Sequence, residues 1–530
     1  VLGLAGALAG LALGAMLARL ALDLLGGDLG AGYFGGGADR LVLAPAAMLG
    51  FLLLGVAAAL AGSLLPARLA ARAAPAAALR NAGDPIDPRA PVPWRPALAL
   101  LLLGGGLAFA PPVGGLPILG FVSMALLLAG GVAGVPWLAR VIVELIGRRP
   151  PRAVPAELAL RHLAGAPVEA ATALCGIVAS TALMIAMATM VTSFRGAVDQ
   201  WLGQVLAADL YLRSDSAPLG PDAQRRLAAV PGIAGIAFSR QLPLVLAPDR
   251  PPVWLIARPL GRGGAAAPLV LTDRADALPA GLPRAYVSEP AQRLYGWDPG
   301  EVIALPLGSG TRFVVAGVWR DYARQAGAVA IDAGVYTRLT GDAAREEAAI
   351  ALAPGADPAS VRRALIAALP DALRSSVQLA DPGTLRRFAL QLFDRSFAVT
   401  YALEAVAVLV GLAGVAATMS GQTVARRREF GMLRHLGVSK RQILALLGVE
   451  GALLGLVGGL AGNVLGLVLS QVLIHVINPQ SFNFTMATQL PVGTIVAVQL
   501  ALVAAAAGTA MIAARRATAG DAVLAVREDW

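Results

Sequence analysis

Residues 3–19, GLAGALAGLALGAMLAR, and residues 455–471, GLVGGLAGNVLGLVLSQ, align without a gap and share nine identities. Four of these are glycines: Gly3 with Gly455, Gly6 with Gly458, Gly10 with Gly462 and Gly14 with Gly466. A second match follows each stretch, PARLAARAAPAAALR (66–80) on AARRATAGDAVLAVR (513–527). The offset is 452 residues in the first block and 447 in the second, so only the connecting loop changed length. Repeated apolar segments indicate a membrane protein built by duplication. They also imply that this chain lacks part of one half. Glycines four residues apart leave one helix face bare, suited to tight static packing or to a sliding interface between helices.

Composition agrees with a membrane setting. Charged residues make up 14% of the chain, hydrophobic ones 57%, and mean hydropathy is +0.69. A soluble domain carries roughly 25% charge. Uncharged stretches at 1–22, 41–65, 117–139, 170–194 and 490–514 are long enough to span a bilayer, which takes about 20 residues. Segments 396–421 and 442–474 are similar but hold one acid each, Glu404 and Glu450. A weaker span near 95–110 brings the expectation to eight. Val1 lies inside the first span with no initiator Met or leader ahead of it, as in a chain entered part-way.

The net charge of +10 is almost all arginine, since Lys440 is the only lysine. Its placement argues for membrane topology and against nucleic-acid binding. Arg68, Arg72, Arg80, Arg89 and Arg95 follow the second span. Arg148, Arg149, Arg152 and Arg161 follow the fourth, and Arg426, Arg427, Arg428, Arg434, Lys440 and Arg441 follow the sixth. The short alternate connections 26–40, 111–116 and 476–489 hold one arginine in total, Arg40. The positive-inside rule puts the basic loops in the cytoplasm. Residues 195–395, of ordinary soluble composition, then lie outside. Cys175 is the only cysteine, so that external domain must hold together by its own core.

Within it, 209–213 (DLYLR), 236–247, 313–319 (FVVAGVW) and 348–352 read as strands, and 221–230 and 359–368 as helices. Strands and helices alternate at both ends around a mostly β insert. His162, His435, His475 and Cys175 all fall outside this domain. Metal and nucleophile sites usually draw on those residue types, so binding or force transmission is expected there, with no catalytic residue, metal or cofactor.

The segment 424–441, VARRREFGMLRHLGVSKR, is the strongest local motif. Phe430, Leu433 and Gly437 share one helical face at i, i+3 and i+7, and Gly437 can end the helix. A short amphipathic helix between two spans can dock in a partner's groove. The plainer reading is a basic cluster serving topology and anionic lipid. Residues alone leave the two even.

Here the chain resembles the FtsX-like permease domain of ABC transporters. Arg426, Glu429, Gly431, Arg434 and Gly437 match that family's R-x-x-E-x-G-x-x-R-x-x-G pattern before the second of three C-terminal spans. The external region resembles the family's MacB-like periplasmic core domain at Val287-Ser288, Leu294, Gly300-Glu301-Val302-Ile303 and 313–317. Residues 1–80 resemble the last two spans of an earlier FtsX-like domain. The resemblance implies an α-helical membrane bundle of ten spans in the complete protein, about eight of them here, plus an extracytoplasmic α+β domain in a bacterial plasma (inner) membrane. It divides the chain into a partial first permease domain (1–80), a linker with two central spans (81–169), a span (170–194), the external domain (195–395) and a complete second permease domain (396–530).

A P-loop requires G-x-x-x-x-G-K-[ST], because its lysine reaches the phosphates. Lys440 sits in Ser439-Lys440-Arg441, so residues 1–530 hold no P-loop, and any ATP must be bound by a separate subunit or by an ATPase fused upstream. The resemblance implies a cytoplasmic ABC ATPase, met at Arg426, Glu429, Phe430, Gly431, Leu433, Arg434 and Gly437. It also implies a hydrophobic or lipid-anchored substrate, or an external protein partner to which force is transmitted. Glu404, eight residues into its span, must face the bundle, pair or stay protonated, because a mid-bilayer charge costs roughly 2.5–3.5 kcal/mol. Glu450 lies nearer the cytoplasmic side, where an arginine of 424–441 can pair with it, and the resemblance makes it structural to the permease fold. Glu404 and the internal repeats leave open an ion-coupled secondary transporter. A non-transporting regulator of a cell-wall hydrolase is the third reading.

Overall fold

The computed structural model describes all residues except 26–42, 73–93, 148–166, 247, 249, 262–264, 266, 267, 309, 426 and 518–530. Eight long or apolar helices form its membrane part. They are α1 (Leu2–Leu25), α2 (Pro45–Arg72), α3 (Arg95–Leu107), α4 (Ile118–Gly147), α5 (Pro167–Val205), α11 (Pro382–Ala425), α13 (Lys440–Val472) and α15 (Val492–Ala517).

Among the described residues, six stretches are long and apolar enough to cross a membrane: Gly3–Leu20, Pro45–Leu64, Ile118–Leu138, Leu174–Val205, Lys440–Phe482 and Val492–Arg515. The bent pair Pro382–Arg395 and Thr400–Gly414, at 47°, adds a seventh if it is one span. The eighth expected span is cut short. α3 has 13 residues, fewer than the about 20 a crossing needs. Its chain reverses where Val113 bridges Leu116 across Gly114 and Gly115, both at positive φ. That pair of dihedrals is the reason for two glycines. α3 then packs back on α4, where the Ser123 hydroxyl donates to the Gly104 carbonyl at 2.6 Å.

α13 is the hub, with its most extensive packing against α5 and α15. The core joins Phe430, Ile443, Leu447, Leu454 and Leu469 with Leu174, Ile177 and Ala510. Between Gly455 and Val468 the glycines point in and a stripe of large residues points out. Gly455, Gly458, Gly459, Gly462 and Gly466 are buried, while Leu456, Leu460, Val464 and Val468, four apart, are 42–66% exposed. A soluble helix shows the reverse. Lipid solvates the leucine stripe as well as protein would, so packing energy comes from the close backbone approach on the glycine side.

The domain between α5 and α11 is a ten-stranded sheet in the order β10-β1-β9-β2-β3-β8-β5-β7-β4, with β6 paired to β7. The strands are β1 (Leu210–Ser214), β2 (Ile233–Leu244), β3 (Val253–Arg258), β4 (Leu271–Arg274), β5 (Arg284–Ser288), β6 (Val302–Leu305), β7 (Thr311–Trp319), β8 (Ala328–Asp332), β9 (Glu347–Leu352) and β10 (Val377–Ala380). The helices are α6 (Pro221–Ala228), α7 (Glu289–Tyr295), α8 (Ala333–Thr340), α9 (Pro358–Ala368) and α10 (Asp371–Arg374). Strand β2 joins two lobes: Ile233–Ser239 pair with β9 and Arg240–Leu244 with β3. The first lobe, from both chain ends, is the antiparallel set β10-β1-β9-β2, cored by Leu210, Leu212, Leu227, Ile350 and Leu365. The second is the insert, cored by Val253, Leu255, Phe313, Val315 and Ile331. The expected alternation around a β insert is the observed topology.

Both lobes stand on two helices that continue from the membrane. β1 begins five residues after α5 ends, and α11 begins two after β10. Arg386 grips Asp199 through two hydrogen bonds of 2.6 and 2.7 Å. One turn away, Arg195 grips Asp394 at 2.8 and 3.2 Å. These two-pronged pairs fix the register of α5 on α11.

Candidate functional site

The motif 424–441 folds as an elbow. α12 (Arg427–His435) ends in two hydrogen bonds, Val438 N–H to the Leu433 carbonyl at 3.0 Å and Gly437 N–H to the Arg434 carbonyl at 3.1 Å. This is a Schellman stop. Gly437 adopts φ +92°, which an L side chain resists. Two residues later Ser439 starts α13: its hydroxyl accepts from Gln442 N–H at 3.3 Å, and Gln442 Oε1 accepts from Ser439 N–H at 2.8 Å. The capping box answers two orphan donors at once.

The elbow is pinned from within. Phe430 is 2% exposed in the α13–α15 core, Gly431 is buried, and Leu433 and Val438 pack against the same core. The predicted apolar face thus meets its own bundle. The outward apolar residues are Met432 and Leu436, 57% and 81% exposed, with Glu429 exposed beside them and Arg434 half-buried. Arg426 lies outside the described residues. Glu404 lies in α11, but its side chain is outside the described set. Glu450 is 2% exposed on α13, turned into the bundle.

The two copies of the glycine ladder have different surroundings. A Cβ on Gly462 would stand 2.6 Å from Thr181 Cβ, and one on Gly466 2.7 Å from the Ala182 carbonyl oxygen, both on α5. On the α15 side, a Cβ on Gly451 would stand 2.5 Å from the Ala506 carbonyl oxygen. In the first copy only Gly3 is crowded, at 2.5 Å from Ala59 Cβ of α2. Gly6, Gly10 and Gly14 meet nothing within 4 Å among the described residues.

α13 runs from the elbow to the sheet domain. Its 33 residues reach roughly 50 Å at about 1.5 Å per residue. It continues through a wider turn, Leu473–Ile477, into α14 (Asn478–Phe482) and a loop that docks on the domain. Thr485 is the contact point. Its N–H and its hydroxyl both donate to the Glu289 carboxylate at 3.0 Å, and its carbonyl accepts from the Tyr322 hydroxyl at 2.9 Å. Glu289 is 6% exposed, with Arg320 Nε 3.8 Å away. Burial pushes the Tyr322 hydroxyl up to about 12, so it stays protonated and donating.

Around Thr485 the rings close up. Phe484 stacks on Phe194 of α5 at 5.1 Å, and Phe194 meets Phe393 and Phe397 of α11 edge-on at 5.0 and 5.8 Å. Trp201 donates its indole N–H to the Arg320 carbonyl at 2.9 Å. Asn483, the one described non-glycine residue at positive φ (60°), turns the chain out of α14. Asparagine tolerates that region. Sequence reading did not single out this loop. Its aromatic pair Phe482 and Phe484, in an external connection otherwise small and polar, was the available signal.

Comparison with known proteins bears on the same segments. Residues 402–521 match the family described as FtsX-like permease C-terminal. An uncharacterised ABC transporter permease protein of Mycobacterium tuberculosis is 26% identical over 556 aligned residues, covering 100% of this chain and 63% of that protein. The chain thus spans less than two thirds of that relative's length. An uncharacterised ABC transporter permease of Methanocaldococcus jannaschii is 37% identical over 97 residues, 18% of this chain and 24% of that protein. Two solved domains are similar at low scores. The periplasmic region of MacB from Actinobacillus actinomycetemcomitans has 12% identity and a TM-score of 0.26, over 35% of this chain and 94% of that one. The extracellular domain of YknZ, a noncanonic ABC-type transporter from Gram-positive bacteria, has 13% identity and a TM-score of 0.24, over 33% and 99%.

Proposed function

We propose, from a chain whose residues 402–521 form an FtsX-like permease domain, that this protein is the membrane-embedded permease of an ABC transporter and couples a cytoplasmic ATPase to its extracytoplasmic sheet domain. The observation that carries the reading is α13. It is capped at the elbow by Ser439 and continued at its far end by the turn Leu473–Ile477, α14 and the loop whose Thr485 donates to Glu289 of the sheet domain. In this reading a displacement of the elbow is passed along α13 to that loop.

The ATPase meets the outward face of α12, at Glu429, Met432 and Leu436, while Phe430 holds that helix to the bundle. Motion then passes to the domain by two routes: the 478–490 loop and the stalk of α5 and α11. Residues 195–395 lie outside a bacterial plasma membrane by the distribution of arginines. The transported or pulled object is hydrophobic or lipid-anchored.

The test is co-purification with the partner ATPase and its ATP turnover in lipid. Met432→Asp with Leu436→Asp is expected to lose the ATPase while the permease still inserts and purifies. Retention of the ATPase in that variant rules out the docking face. Substrate movement driven by a proton gradient with no ATPase present rules out the ABC reading in favour of a secondary transporter.

A further inference from the structure

We propose that the cleft between the two lobes of the sheet domain binds a neutral saccharide, with one sugar ring stacked on Trp254 and its hydroxyls held by the polar groups of the walls. This goes beyond the permease reading and gives the extracytoplasmic domain a ligand of its own. The cleft has a volume of about 590 Å³, within the about 300–1,000 Å³ of small-molecule sites, which favour the seams between domains. The first lobe supplies Arg213 and Asp215 at the end of β1, and Glu346 and Glu347 where β9 begins. The insert supplies Trp254 of β3 and Arg324, between β7 and β8. β2, the strand that joins the lobes, adds Gln241 and Pro243.

Trp254 is the unusual residue of this cleft. β3 is an inner strand, paired with β2 on one side and β8 on the other. Its neighbours Val253 and Leu255 are 0% exposed in the insert's core. Side chains alternate across a strand, so Trp254 turns to the opposite face, where it is 37% exposed and sits across from Pro243. Tryptophan is highly buried on average. Here its ring is left open in a cleft that Pro218 and Pro243 also line, a flat apolar platform with a polar surround. A pyranose ring has the matching shape: a face of C–H bonds that packs on an indole, and hydroxyls directed outward around its rim.

The walls are charged but balanced. Arg213 pairs with Asp215 at 3.2 Å and reaches Glu347 at 4.0 Å. Glu346 accepts from Arg240, and Arg324 donates to Asp321 at 2.9 Å. Walls of this kind attract neither sign, and a charged ligand would meet a like charge wherever it sat. Pairing does not exhaust the same groups as hydrogen-bond partners. A carboxylate accepts at about four lone-pair sites, and a guanidinium carries several N–H donors. Gln241 links the two kinds, accepting from Arg324 at 2.7 Å and donating to Glu347. Interleaved donors and acceptors beside a flat apolar ring suit a ligand whose every hydroxyl both gives and accepts. Because both lobes contribute, a bound saccharide clamps the insert to the first lobe.

The full chain in phospholipid nanodiscs, without ATPase, is tested by saturation-transfer NMR. The probes are maltotetraose and cellotetraose, both neutral, with tetragalacturonate and the glucosamine tetramer as charged counterparts. Transfer to the ring protons of a neutral tetrasaccharide is expected, and the charged tetramers should bind about tenfold more weakly. Trp254→Ala should weaken binding about tenfold, the size of a lost aromatic contact with its buried area, and Trp254→Phe should keep part of it. Ala217→Trp, which fills the cleft and leaves Trp254 in place, should abolish transfer. In parallel, nanodiscs doped with a monoglucosyl diacylglycerol or with the plain diacylglycerol are compared by hydroxyl-radical footprinting at Trp254. Protection by the glycolipid alone assigns the ligand to a membrane headgroup, and transfer to a soluble tetrasaccharide assigns it to a free glycan. Absence of both overturns the site. So does equal binding of charged and neutral tetramers, or binding unchanged in Trp254→Ala and Ala217→Trp. None of these readouts involves the ATPase, so failure here and failure of the permease reading are separate outcomes.

Discussion

A methyl group added at equivalent glycines would meet different surroundings in the two copies of the repeat. Gly10 and Gly462 occupy equivalent positions, yet a Cβ at Gly462 would press on Thr181 at 2.6 Å, whereas one at Gly10 meets nothing within 4 Å. Gly462→Ala should therefore lower stability by about 1–3 kcal/mol, the cost of overpacking a closed interface. Gly10→Ala should be neutral or slightly stabilising, since alanine favours helix by up to about 1 kcal/mol. Thermal midpoints of the detergent-purified chain compare them directly, and equal midpoints would refute the asymmetry. Tyr322 provides a second test at this scale. Its hydroxyl donates to Thr485 at 2.9 Å, so Tyr322→Phe should cost about 1 kcal/mol. The folded value, raised to about 12 from an ordinary 10.0, sets the sign of its pH dependence. Folding favours the neutral hydroxyl, whose contribution is complete below pH 10.0 and is lost as pH rises toward 12. The difference between wild type and Tyr322→Phe should accordingly shrink only above pH 10.0.

At the scale of elements, the elbow shows what a sequence discloses and what it withholds. Gly437 announced the end of α12, and Ser439 with Gln442 is a capping box, because caps are decided by residues within four positions of each other. The face of α12 that turns inward was not disclosed. Phe430, Leu433 and Gly437 share a stripe in any helix of this sequence, but whether the stripe meets a partner or its own bundle depends on α13 and α15. Only their packing shows Phe430 at 2% exposure. The length of α3 was withheld for a similar reason: its hydropathy suits the span expected near 95–110, and only the fold shows a helix of 13 residues followed by the reversal over Gly114 and Gly115. Gly437→Ala should cost about 1–2 kcal/mol, the penalty for a side chain at left-handed dihedrals. Its effect should be local, with faster hydrogen exchange across 433–443 while the sheet domain is unchanged. Protection unchanged across that segment would mean that the stop is set by the span ends rather than by the glycine.

At the scale of the whole molecule, strands such as 209–213, 313–319 and 348–352 were legible because they are short apolar or β-branched runs bounded by turns. The junction was not, because Glu289 and Thr485 are 196 residues apart and neither belongs to a motif. In the proposed coupling, that junction is one of the two routes from the bundle to the domain, beside the α5–α11 stalk. Shifting a two-state equilibrium from 1:99 to 99:1 takes about 5.5 kcal/mol, and every link in the path must sustain its share. Hydrogen bonds to a buried carboxylate contribute about 1.5–3 kcal/mol each, so the pair that Glu289 accepts from Thr485 is a large part of what the 478–490 loop can transmit. Glu289→Ala should leave the elbow and its ATPase untouched, and ATP turnover should persist. What should disappear is the response of the domain. In wild type bound to its ATPase, hydrogen exchange in β5 and α7 should differ between ATP-locked and ADP states, and in Glu289→Ala that difference should collapse. Thr485→Ala should have the same effect, and the double variant no more than either single one, because the residues act as one contact. If the nucleotide-dependent difference survives in all three, force reaches the domain through the α5–α11 stalk alone, and the loop is a passive strap.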